Sequence, residues 1–131
     1  MRRIAVLLIL LAGVLAAADK DLAGTYTGEY KSAVRGGGGP IQVTLTQSSG
    51  GWKSEVKFSV DGSPVAAQVR STALQDGKLE VVYGCEIGGS ELRVKLTAKW
   101  SGSEFAGAYE CVTAEGSEVV DSGTWSAKKG S

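Results

Sequence analysis

The sequence of 131 residues contains no histidine and no asparagine, and it has only two cysteines, two prolines and one methionine. Without histidine, the commonest metal ligand and the most frequent general base of enzymes are missing. Without asparagine, no acceptor for N-linked glycosylation exists. The chain also lacks a nucleophile elbow, a metal-binding cluster and a pair of carboxylates at defined spacing. The sequence therefore predicts a protein that is not an enzyme and that uses no cofactor or metal.

The N-terminus has the parts of a secretory signal peptide. Arg2 and Arg3 supply positive charge, an uncharged apolar run follows from 4 to 18, and three alanines at its end resemble a cleavage site. This run is shorter than the ~20 residues that a membrane-spanning helix needs. We therefore expect residues 1–18 to be removed, no membrane span to remain, and the protein to be periplasmic or extracellular.

The rest of the chain, 19–131, has a length suited to one domain. The full sequence balances 14 basic against 14 acidic residues, so loss of Arg2 and Arg3 leaves a slight negative charge. No basic field is then available to hold phosphates by counterion release. Nucleic acid is not an expected partner, and we expect a monomer.

Short runs of alternating polarity, separated by Gly-rich turns, indicate β strands along the whole domain. Their short connections favour antiparallel neighbours, since parallel strands need crossovers of a dozen residues. Closing the sheet buries its apolar face and removes unpaired edges. We predict an eight-stranded antiparallel up-and-down β-barrel, with a β-sandwich as the alternative. The predicted strands are 22–31, 41–47, 52–60, 65–71, 78–86, 90–100, 104–112 and 118–128.

The turn sequences also predict which residues face each other across the hairpins. Apolar residues then oppose apolar residues in nearly every hairpin, as a correct register requires. Only the connection at 74–77 breaks this alternation, so we predict a bulge or an irregular loop there. The predicted pairs include Val43 with Val56, Phe58 with Val65, Tyr83 with Val94, and Trp100 with Phe105.

The alternation places all nine aromatic side chains on the inward face. Because alternate hairpins of a meander lie at opposite ends of a barrel, strand direction separates these rings into two groups. The group at the end that holds the chain termini comprises Tyr26, Trp52, Trp100, Phe105 and Trp125. The group at the other end, which we interpret as the mouth of the barrel, comprises Tyr30, Phe58, Tyr83 and Tyr109.

Both terminal strands repeat a glycine two positions before an aromatic residue. The stretch "AGTYTGEY" does so twice, and "SGTWSAKK" does so once. Glycine lets a strand coil sharply and leaves room for a ring to cover the bare backbone. We interpret these motifs as serving barrel closure and core packing.

Gly24, Thr25 and Tyr26, together with Trp125 and the basic Lys128 and Lys129 of the last strand, resemble the calycin pattern of lipocalins and avidins. In lipocalins, G-x-W opens the first strand and a basic residue of the last strand packs over the tryptophan. The resemblance covers the two terminal strands only, with tyrosine in place of tryptophan. It implies a secreted barrel that binds a small hydrophobic molecule.

Two features near the mouth are candidates for ligand contact. The connection "SAVRGGGGP", 32–40, is either a flexible loop or a lid whose Arg35 meets an anionic group. Asp121 is the one carboxylate that the alternation places inward, opposite Tyr109, where burial requires a partner. Tyr109 or a ligand would be that partner, whereas a bulge at 119–120 would turn Asp121 outward.

Cys85 and Cys111 are the only cysteines, and an exported chain reaches an oxidising compartment. On this ground we predict a disulfide between them. The predicted register opposes it, because the sixth strand lies between the two cysteines, whereas a disulfide needs Cα atoms ~4.4 to 6.8 Å apart.

The sequence favours a binding protein for a small hydrophobic or aromatic molecule at the mouth. The alternative is an interaction or inhibitor module with a solid core, since "YGCEIGGSELRVKL" resembles the Tyr-Xaa-Cys hairpin of C-type lysozyme inhibitors. A cavity of a few hundred Å³ beneath the mouth would favour a ligand. The predicted ligand-binding residues are Tyr30, Arg35, Phe58, Tyr83, Tyr109 and Asp121.

Overall fold

The computed structural model describes residues 22–130, so the predicted signal peptide lies outside the described residues. Eight antiparallel strands follow one another around a closed barrel, and β1 pairs with β8. This confirms the predicted up-and-down barrel over the β-sandwich. Residues 22–130 include no helix of the length and apolarity needed to cross a bilayer. The strands are β1 Gly24–Ser32, β2 Gly38–Ser48, β3 Gly51–Val60, β4 Ser63–Gln75, β5 Lys78–Ile87, β6 Ser90–Trp100, β7 Glu104–Thr113 and β8 Val119–Lys129.

Tight two-residue turns close three consecutive hairpins, from β3 to β6. At each turn both residues have positive φ, a conformation that glycine adopts freely and aspartate tolerates. Such turns match the right-handed twist of the strands they join. Predicted pairs are confirmed in four of the hairpins, namely Val43 with Val56, Phe58 with Val65, Tyr83 with Val94, and Trp100 with Phe105.

The irregularity predicted at 74–77 is wrong in its position. Leu74 pairs with Leu79 across a regular turn, and the register shifts instead around Arg70, in the middle of β4. One extra residue at a bulge reverses which face each following side chain occupies. The bulge at Arg70 therefore lets β4 present apolar side chains to the core on both sides of it.

The inward rings form two separate groups, as predicted. Tyr26, Trp100 and Phe105 lie together at the end with the chain termini, with centroids 4.9 to 5.9 Å apart. Trp125 does not lie at that level, because it pairs with Tyr30 farther along β1. Edge-to-face contacts of this kind add about 0.5 to 1.5 kcal/mol each beyond the burial of area.

Three glycines on the inward face lie where neighbouring strands approach too closely for any side chain. A Cβ atom added at any of them would lie within 1.9 Å of a backbone oxygen of the adjacent strand. Each stands two positions before an aromatic residue, so these three Gly-Xaa-aromatic units lie where neighbouring backbones are in close contact. These glycines are Gly28, Gly107 and Gly123.

Candidate functional site

The four rings assigned to the mouth are in contact with one another. The centroid of Tyr30 lies 5.8 Å from that of Tyr109 and 6.2 Å from that of Phe58. The ring of Phe58 in turn lies 5.7 Å from that of Tyr83. The rings thus form a continuous aromatic surface that links β1, β3, β5 and β7, and hairpins on opposite sides of the barrel contribute to it.

This aromatic surface borders a small cavity beneath the mouth, with a volume of about 40 Å³. That volume holds a few water molecules, since one water needs roughly 10 to 15 Å³ of such space. It is far below the roughly 300 Å³ at which pockets for small ligands begin. All the predicted ligand-binding residues nevertheless line it, namely Tyr30, Arg35, Phe58, Tyr83, Tyr109 and Asp121.

Asp121 is the carboxylate of the cavity wall, and both of its oxygens have partners. Oδ1 accepts hydrogen bonds from the Ser32 hydroxyl at 2.5 Å and from the Ser122 backbone N–H at 2.9 Å. Oδ2 accepts one from the Tyr109 hydroxyl at 3.0 Å and lies 3.8 Å from the Arg35 guanidinium. With its side chain only 14% exposed, the carboxylate depends on these partners to offset its lost hydration.

The predicted inward direction of Asp121 is correct, but its predicted neighbour is wrong. Asp121 pairs with Cys111 rather than with Tyr109, because the connection before β8 spans 114–118 rather than three residues. The longer connection alone would turn Asp121 outward. A register shift after Cys111 restores the inward direction, so the bulge that we expected to expose Asp121 is what buries it.

Ser32 organises the loop that covers the edge of the cavity. Its hydroxyl accepts a hydrogen bond from the Arg35 backbone N–H at 2.9 Å, and its own N–H donates to the Gly37 carbonyl at 2.6 Å. The loop is only 33–37, since the following glycines belong to β2. It is therefore an anchored turn that holds Arg35 over Asp121, shorter than the predicted connection.

Ser32 belongs to the site but is not among the residues predicted from the sequence. The side chain is 6% exposed and donates to Asp121. The sequence did contain a signal for this residue, because the alternation that places Tyr26 and Tyr30 on the inward face continues to position 32. A buried hydroxyl on the same face as a buried carboxylate is a natural hydrogen-bond partner for it.

The tyrosine hydroxyls of the mouth are neutral donors at ordinary pH. Burial raises the pKa of Tyr109 to about 12, and the hydrogen bond to Asp121 adds to this increase. Burial also raises the pKa of Tyr30, whose hydroxyl donates to the Ser59 carbonyl at 2.6 Å. Two of the phenols therefore hydrogen-bond within the protein, and the aromatic surface offers a ligand mainly apolar contact.

The predicted disulfide is not formed, because Cys85 and Cys111 are both buried free thiols. Cys85 pairs with Leu92 and Cys111 with Val94, on opposite sides of β6. The cysteines are thus two strand spacings apart, roughly 9.6 Å, which exceeds the ~4.4 to 6.8 Å between Cα atoms that a disulfide allows. The objection raised by the predicted strand register was therefore correct, and the disulfide predicted from the oxidising compartment was wrong.

Both thiols are expected to resist modification in the folded protein. Burial raises the pKa of Cys111 to about 11 and also raises that of Cys85, so little thiolate is present near neutral pH. A thiol-reactive disulfide reagent should label neither cysteine rapidly at pH 8 and should label both after unfolding in guanidinium without reductant. Fewer than two reactive thiols in the unfolded monomer would mean that a bridge does form.

Comparison of the chain with known protein families, with characterised proteins and with solved structures gave no match. The barrel itself is consistent with the calycin-like architecture that the terminal strands suggested. Lys129 of β8 also lies over the first strand, with its Cε 2.9 Å from the place that a Cβ on Gly24 would take. Among residues 22–130, no three Cys, Asp or Glu side chains lie together as a metal site would require.

Proposed function

We propose that the protein is a secreted, non-enzymatic binding protein that takes a small apolar or aromatic ligand at the mouth of the barrel. The observation that carries this proposal is the convergence of four aromatic rings on one cavity with a single ion pair at its edge. Ligand sites are mostly apolar with a few placed polar groups, and this wall has that composition. A relationship to calycins would imply the same mode of binding.

The cavity is too small for a ligand as it stands, so the proposal requires the loop 33–37, which carries Arg35, to move. The side chain of Arg35 is 49% exposed and lies 3.8 Å from Asp121, whose carboxylate keeps three hydrogen bonds to other groups when Arg35 moves away. Displacing Arg35, which lines the cavity, would widen it and leave the rings as its floor. In this proposal the loop 33–37 is a lid over the cavity, and the Arg35–Asp121 ion pair holds the lid closed.

The second candidate function is a protein-interaction or inhibitor module with a solid core. The small volume of the cavity favours it, since a barrel that does not open has no room for a ligand. The two proposals differ in one respect that can be measured, namely whether a neutral apolar molecule enters the mouth.

Binding of N-phenyl-1-naphthylamine, an uncharged dye whose fluorescence rises in apolar surroundings, tests the ligand proposal. We expect saturable binding that Tyr83→Ala or Phe58→Ala weakens about tenfold, because either loss removes part of the aromatic surface. Arg35→Ala should strengthen binding, because it removes the ion pair that holds the loop 33–37 closed. Dye fluorescence titrations of the folded variants supply the affinities.

Trp52→Ala is the matched control, because Trp52 is a partly buried ring packed against the core at the opposite end of the barrel. It should leave the dye affinity unchanged. Absence of saturable dye binding by both the native protein and Arg35→Ala would refute the ligand proposal and support the solid module. Equal weakening by Trp52→Ala and Phe58→Ala would also refute a site at the mouth.

A further inference from the structure

The charged side chains are divided unequally between the two ends of the barrel. The mouth end comprises the connections 33–37, 61–62, 88–89 and 114–118 with two residues on either side of each. There, Lys31 and Arg35 are outnumbered by five exposed carboxylates, which we call the acidic rim. The acidic rim is Asp61, Glu86, Glu91, Glu115 and Glu118.

The opposite end has the reverse balance. Around its turns and at the chain end, basic side chains outnumber the acidic Asp76 and Glu104. Among residues 22–130, the mouth end therefore carries negative charge and the opposite end carries positive charge. The basic residues of that end are Lys78, Lys99, Lys128 and Lys129.

The carboxylates of the acidic rim form no close ion pair within the described part of the chain. No ion pair within 4.0 Å involves any of its five carboxylates in residues 22–130. Glu86 and Glu91 occupy directly opposite positions on β5 and β6, an arrangement of like charges that lowers stability. Arg70 and Arg93 line the same surface concavity as these two carboxylates, at more than 4.0 Å from either, and reduce this repulsion only in part.

The mouth end also carries the large apolar side chains that the described residues expose most. They are Val34 at 63%, Val119 at 53% and Val120 at 40% exposure, which we call the rim valines. The backbone N–H of Ala33 donates to the Ser122 carbonyl at 2.7 Å, so the loop that carries Val34 lies beside the start of β8. The rim valines therefore lie on one side of the mouth, next to the acidic rim.

We propose that the acidic rim and the rim valines form a docking surface for a basic peptide segment of a partner protein, with aliphatic side chains between its lysines or arginines. The rim carboxylates stand on three mouth connections of a barrel whose strands are ~4.8 Å apart, a span wider than one ammonium group can contact. Each exposed ion pair contributes ~0.2 to 1 kcal/mol, so an extended polycation fits better than a single charge.

This inference goes beyond the proposed ligand pocket and does not depend on it. Docking on the rim uses exposed side chains and leaves the loop 33–37 closed, whereas ligand entry requires that loop to open. Rim charges act mainly on the rate of association, which then falls as salt is added.

A fluorescent synthetic peptide of alternating lysine and leucine is the probe. We expect saturable binding to the native protein, weakened about tenfold by Glu115→Gln combined with Glu118→Gln, since two exposed pairs are lost. Glu29→Gln combined with Glu55→Gln changes the net charge equally but alters the barrel wall, and it should leave the affinity unchanged. Val34→Ser with Val120→Ser should weaken the lysine–leucine peptide and spare a lysine–serine peptide.

Three results would overturn the proposal: no saturable peptide binding, equal weakening by the rim and wall variants, or equal binding of a glutamate–leucine peptide. Dye binding with no peptide binding would leave the ligand proposal intact and reject the docking surface. Peptide binding with no dye binding by the native protein or Arg35→Ala would do the reverse.

Discussion

Gly107→Ala should lower the free energy of unfolding by about 3 kcal/mol or more, at the upper end of the effect of overpacking, and should abolish folding at physiological temperature if the strands do not relax. The added Cβ would lie 1.8 Å from the Thr97 carbonyl oxygen and 2.6 Å from the Cα of Ala98. Both are backbone atoms of β6, so relief requires the two strands to separate. Urea unfolding followed by circular dichroism measures the loss.

Gly37→Ala is the control for this prediction, because a Cβ there meets no atom within 4 Å and its φ is not positive. It should leave stability unchanged or raise it slightly, since alanine restricts the unfolded chain. If Gly107→Ala were as stable as Gly37→Ala, the close approach of β6 and β7 would be disproved.

The protein should lose stability steeply between about pH 9 and pH 12. Burial raises the pKa of Tyr26 and of Tyr109 to about 12, and it raises that of Tyr83 well above the usual 10.0. In this range the unfolded chain has already released protons that the folded chain still holds, so each rise in pH favours unfolding. Each such group contributes up to about 1.4 kcal/mol per pH unit.

Urea unfolding followed by circular dichroism at a series of alkaline pH values tests this expectation. Tyr83→Phe keeps the ring beside Phe58 and removes one titrating proton, so its stability should fall less steeply with pH. Absorbance of phenolate should appear near pH 10 in the unfolded chain and only at higher pH in the folded protein. Native tyrosines that ionise near pH 10 would contradict the prediction.

The fold could be predicted from the sequence because the alternation of polar and apolar residues and the turn residues each predict the strand register. Asp61-Gly62 and Gly88-Gly89 fix which residues face each other, and the polarity of the paired residues provides an independent check. The failures occurred where one residue is inserted. The bulge at Arg70 and the register shift after Cys111 change which face of the sheet the following side chains occupy, and no glycine or proline marks either position.

The residues that line the site could also be predicted from the alternation, but their geometry could not. The alternation placed Tyr83 and Tyr109 on the inward face, and both line the cavity. Asp121 also lines it, but its inward direction was predicted correctly only because the longer connection and the register shift after Cys111 cancel. Cavity volume depends on how rings tilt against one another, which a strand pattern does not specify. The hydrogen bond from Ser32 to Asp121 joins β1 to β8, a contact between residues far apart in the sequence.

The order of the strands determines which strand pairs can form early in folding and which pair must form last. All strand pairs except β1 with β8 join consecutive strands, so most of the sheet can form from short-range contacts as the chain grows. The last pair brings Tyr26 opposite Lys129, almost the full length of the described chain apart. Until β8 has emerged, β1 and the newest strand remain exposed edges on which another chain can pair. The period before β8 pairs with β1 is therefore the one in which this protein is most vulnerable to aggregation.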